Sequence, residues 1–138
     1  TTAASICATN VALIDIAQLK KVAAEFRAVW SLYANGQGTS ADFVDRETLD
    51  RAFHNEIVLA TENNYLIDMY HSIREPLNYL SVRTCEFIAS KRERDNIIII
   101  SAQHVDICRA IESGFPEMAR QTMERHIDFC HERCLLDR

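Results

Sequence analysis

The sequence predicts an all-α fold, an antiparallel bundle of about six helices. Three observations lead there. Apolar residues recur in steps of three or four along nearly every segment. The 138 residues include only three Gly and two Pro, few for the many tight turns of an all-β chain. Short polar breaks separate the periodic stretches. The length suits one domain, residues 1–138, with a real core. A balance of 48% hydrophobic and 25% charged residues is that of a soluble globular protein.

The first predicted helix runs from about Val11 to Tyr33, with Leu13, Ile16, Leu19, Ala23, Phe26 and Trp30 as its apolar stripe. "NGQGTS" at 35–40 breaks it. The second runs from about Ala41 or Asp45 to Thr61, with Asp45 as N-cap of its main part. "ENN" at 62–64 interrupts, and a long helix follows from about Tyr65 to Ser90. Pro76 is expected to kink or divide it. "KRERD" at 91–95 reads as a charged connector. From Asn96 to Ser113 the stripe is Ile97, Ile100, Ile107 and Ile111. Gly114 suits the position just past that helix, and Pro116 the first turn of a last helix to about Leu135.

Several functions are disfavoured. A net charge of −5 argues against this chain gripping a phosphate backbone by itself. No apolar run approaches the roughly 20 residues that span a bilayer. The five cysteines are odd in number and form no dense framework, so they read as reduced, cytoplasmic thiols, mostly small core residues. No signal peptide is visible, and a start of "TTAAS" without Met reads as a fragment.

The informative residues are polar ones on apolar faces. His104 falls within the stripe Ile97, Ile100, Ile107, Ile111, and so points inward. His126 falls within Ala119, Thr122 and Phe129 or Cys130, and points inward too. Asp50 and His54 stand one turn apart beside Leu49, Phe53 and Ile57. Singly, each has a plain explanation: a hydrogen-bonded core histidine, or a surface pair stabilising a helix by a few tenths of a kcal/mol. Together, three imidazoles and a carboxylate suit a divalent transition metal, with coordination positions left for water or a ligand's carboxylate. A softer zinc set of His104, Cys108, His126, Cys130 and Cys134 is the rival, and leaves Asp50 and His54 unexplained. His71 reads as solvated, and His131 as facing away from His126. Arg74, just before Pro76, is a candidate carboxylate partner or else a surface arginine; Arg83 has a similar, weaker claim.

The stretches "LDRAFHNEIVLATENNYLIDMYHSIR" and "HVDICRAIESGFPEMARQTMERHIDF" resemble the FCD domain, the C-terminal domain of FadR-type GntR-family transcription regulators. The pattern is met by Asp50 and His54, by Asn64 with Leu66, by His104, Ile107, Ala110, Ile111 and Gly114, and by Ala119, Met123 and His126. The resemblance implies an effector-binding domain that forms homodimers. It implies that Asp50, His54, His104 and His126 hold a divalent ion, often zinc or nickel, in a central cavity that receives a small organic acid. All four positions being filled argues against the acyl-CoA-binding branch. DNA would be contacted by a winged helix-turn-helix domain ahead of residue 1, and the family's first helix looks cut short. Gly114-Phe115-Pro116 departs from the family's Gly-Asp, a change that bears on capping more than on the site. Two rivals stand beside this sensor: a metal-dependent hydrolase or lyase using the same residues, and a structural dimerisation module whose polar core is satisfied internally.

Overall fold

The structure is a computed structural model. It describes the backbone of residues 1–37, 40–91 and 94–135, with the side chains of all of these except 33–34, 40–47, 80–91, 94, 97 and 133–135. The side chains of Arg83, Cys85, Cys134 and Asp45 therefore lie outside the described residues, and the backbone of Asp45 is already inside a helix that begins at Ser40, so it is not the expected cap.

The described residues form six α-helices: α1 (Thr2–Thr9), α2 (Ile16–Ala34), α3 (Ser40–Leu59), α4 (Asn64–Lys91), α5 (Arg94–Glu112) and α6 (Pro116–Leu135). They form the expected bundle, but two elements differ from expectation. α1 precedes the first predicted helix. It buries Ala4, Cys7 and Ala8, residues too small to draw a conspicuous apolar stripe. The segment from Val11 is a single 3-10 turn, and Leu13 in it is exposed. The regular helix begins at Ile16, where Asp15 Oδ1 accepts the Gln18 N–H at 2.9 Å and caps it.

The second difference is Pro76, which lies inside an undivided α4. Proline deprives the Ser72 carbonyl of its helical donor. Ser72 is exposed, so water can serve that carbonyl and the helix continues. The breaks after α3 and α5 are as expected. Glu62 takes a left-handed φ of 50° between α3 and α4, and Asn63 Oδ1 caps α4 through the Leu66 N–H. Gly114 ends α5 with φ 70°, a conformation that favours glycine.

α2 packs on α3 and α5, and α6 packs on α1 and α5. Leu19, Ala23, Phe26 and Trp30 of α2 meet Phe53 and Ile57 of α3 and Ile107 and Ile111 of α5, all buried. Cys7 and Cys108 are buried core thiols, and burial pushes them up to about 11 and about 12. Among the described residues α4 packs mainly on α3 and α6, and most of its described face is exposed. Among the described residues no helix is long and apolar enough to cross a membrane.

Candidate metal centre

Three helices aim side chains at one point. α3 supplies Asp50 and His54, α5 supplies His104 and α6 supplies His126. One ligand atom from each falls within 4.8 Å of every other. His104 Nε2 is 3.3 Å from Asp50 Oδ1, and His54 Nε2 is 3.8 Å from the same oxygen. His126 Nε2 is 3.3 Å from His54 Nε2. The helical period produces this convergence. Each histidine replaces an apolar residue in a core-facing stripe, and one turn of α3 brings Asp50 level with His54.

Packing fixes the rings. His104 is fully buried between Phe26 and Phe53, with centroids 4.3 and 4.2 Å away. Its ring is nearly parallel to Phe53, at 16°. Neither of its nitrogens has a well-aligned hydrogen-bond partner among the described residues. His126 is held differently. Its Nδ1 lies 3.0 Å from Gln103 Oε1, an oxygen that can only accept, so Nδ1 carries the hydrogen. The lone pair of His126 is thereby placed on Nε2, facing the cluster.

The electrostatics fit a cation. Burial lowers His54 to about 4, with Asp50 opposing it, and lowers His126 well below the usual histidine value. Burial pushes Asp50 upward, but its contact with His104 and the charges that the three histidines can carry outweigh that, so it sits well below the usual carboxylate range. At neutral pH the cluster thus sets the Asp50 carboxylate beside the neutral imidazoles of His54 and His126. The Nε2 atoms of His54 and His126 stand only 3.3 Å apart, and neither nitrogen of buried His104 has a well-aligned partner among the described residues. A divalent ion would draw these nitrogens and the Asp50 carboxylate together. The residues present therefore fit a metal.

The described members of the rival thiol-containing set do not gather. Cys130 Sγ is 4.0 Å from His126 Nδ1, the nitrogen facing away from the cluster, and Cys108 packs in the apolar core. Among the described residues, only Asp50, His54, His104 and His126 group as a possible metal site.

The cluster opens on a cavity of ≈ 440 Å³, the size of a small-molecule site. Asp50, His54 and His126 line it, together with Arg51 of α3 and Tyr70 of α4. Arg74 is elsewhere: its guanidinium is half exposed, 3.7 Å from Glu75, and it does not line the cavity. His71 is exposed, as expected, whereas His131 lines the rim. Two residues carried no signal in the sequence. Arg51 looks like any surface arginine following Asp50. Gln103 gains meaning only through its partner on the next helix.

A helical bundle that turns three imidazoles and a carboxylate toward an open cavity is a binding domain in form. Residues 1–129 match the family described as FCD domain, and the chain belongs to it. Such domains form the C-terminal, effector-binding part of GntR-family transcription regulators, and such regulators are not enzymes. No curated protein matches the chain.

Proposed function

We propose that this chain senses a small carboxylate at a divalent metal and passes the signal to an attached winged helix domain. Asp50, His54, His104 and His126 would hold the ion, zinc or nickel as the family resemblance implies. A bound ion would supply a Lewis-acidic position that accepts the effector's carboxylate. Arg51 stands in the same wall to pair with that charge, and its side chain is only partly exposed. The observation that carries the reading is a four-residue cluster of which three members, Asp50, His54 and His126, line a cavity of ≈ 440 Å³.

The cavity is bounded by side chains from all six helices. An occupant that fits one arrangement of α4 against α3 and α6 better than another would shift the population toward it. The regulator would act as a cytoplasmic homodimer, with DNA contacted outside this single-domain chain. Elemental analysis of the purified protein tests the centre, with about one divalent ion per chain expected. Absence of metal, with carboxylate binding unimpaired in His104→Ala, would overturn it.

A further inference from the structure

The cavity has two unlike kinds of wall. Its charged and polar part includes Asp50, His54 and His126 with Arg51 and Tyr70. The remainder is walled mainly by hydrocarbon, including Ile57, Val58, Ile73, Leu77, Ile100 and Ile127. Three of these are large apolar side chains left unusually open: Ile73 is 45% exposed, Leu77 42% and Ile127 45%. All three line the cavity, so much of the surface they lack cover for bounds its interior. Ile73 and Leu77 stand one turn apart on α4, forming a continuous strip along one wall.

We infer that the effector is a monocarboxylate with an apolar body, its head beside Asp50, His54 and His126 and its hydrocarbon against Ile73, Leu77 and Ile127. The inference rests on the metal-centred reading for the place of the head, but the wall alone sets the class of the body. A polyhydroxylated acid would strip water from each hydroxyl against side chains that can neither donate nor accept. A methylene in the same place gains about fourfold in affinity. Among the described residues Thr1, Asn78, Cys130 and His131 are the further polar members of the wall, and hydrocarbon still makes up most of it.

The test is calorimetric titration of the full chain with straight-chain monocarboxylates from acetate to octanoate, and with gluconate as the polyhydroxy probe. Each is run on zinc-loaded and on metal-stripped protein. Affinity is expected to rise about fourfold per methylene until the cavity is full, with hexanoate binding more tightly than gluconate. Leu77→Asn is expected to flatten the upper part of the series. Gluconate binding more tightly than hexanoate, or affinity independent of chain length in a protein that holds its metal, would overturn the apolar class and leave the metal reading standing. A rising series in a protein that takes up no metal would support the apolar class and overturn the metal reading. No binding of any acid, as expected if another segment or a second copy fills the cavity, would overturn the inference.

Discussion

Two sides of the bundle treat apolar surface in opposite ways. Where α2 meets α3 and α5, Phe26, Trp30, Phe53, Ile107 and Ile111 are buried to 2% exposure or less. Along α4, Tyr65, Met69, Ile73, Leu77 and Tyr79 are all exposed. The cluster of Asp50, His54, His104 and His126 lies at the boundary. His104 belongs to the closed side, fixed between two phenyl rings. Asp50 and His54 are partly open to the cavity, with side chains 17% and 23% exposed. A rigid wall can hold ligand atoms in place, and an open wall can admit a guest. This chain keeps the two tasks on different helices.

Breaking the closed side should have the largest effect. His104→Ala removes a proposed ligand and leaves a void between Phe26 and Phe53. A loss of about 3 kcal/mol in urea unfolding is expected, along with loss of bound metal. His104→Phe separates the two effects. It keeps an aromatic ring in the stack, so most of the stability should return while the metal does not. If His104→Phe still bound metal as tightly, the cluster would not be the site.

Removing the ion itself should come next. A metal bound only by the folded state stabilises it by about 2.7 kcal/mol at a hundredfold excess over its Kd. For a domain of this size a chelator should lower Tm by about 10 °C. An unchanged Tm would favour the structural dimerisation module. The metal-free protein should also be acid-sensitive. His54 titrates near 4 in the fold and near 6.5 when unfolded, so the unfolded chain binds more protons between those values. Stability therefore rises with pH in that window and falls as pH drops from about 6.5 to about 4. His126 is lowered as well and adds in the same direction. Asp50, lowered in the fold, contributes stability that is lost only below its ordinary 3.8. Urea midpoints across that range, with and without metal, would show it. A flat profile would contradict the burial of these imidazoles.

Gln103→Leu tests the boundary more finely. It removes the acceptor at His126 Nδ1 and leaves all four proposed ligands in place. Metal affinity should fall about 10- to 100-fold, and Gln103→Glu should restore much of it. A competition titration with a chromogenic chelator reads both.

The closed side was the more legible in the sequence. Its helices carry regular stripes, and His104 and His126 stood out because they occupy positions in those stripes. Asp50 and His54 were legible only together with them. The open side was not, for physical reasons. The stripe of α4 is broken by polar residues, so periodicity does not say which of its side chains turns to the cavity; Tyr70, Ile73 and Leu77 do, and Arg74 does not. Pro76 marked a break that the exposed surroundings of Ser72 make unnecessary. α1 escaped because Ala4, Cys7 and Ala8 pack through smallness rather than through an apolar pattern. Gln103 depends on a contact 23 residues away, which no local pattern encodes.

The smallest effect on stability is expected on the open side, at Ile73, and a buried isoleucine of the closed side supplies the contrast. Ile107 is fully buried against α2 and α3, and Ile107→Ala should cost about 2–5 kcal/mol, because the removed atoms leave a hole that close-packed neighbours cannot fill. Ile73 is 45% exposed and lines the cavity. Its truncation enlarges a space that already exists, so Ile73→Ala should shift the urea midpoint by no more than about 0.5 kcal/mol. The effect should appear instead in ligand binding, as weaker retention of long-chain acids by an otherwise equally stable protein. A loss of several kcal/mol from Ile73→Ala, with no change in acid binding, would mean that α4 is packed in solution against something else, and the division between a closed and an open side would fail.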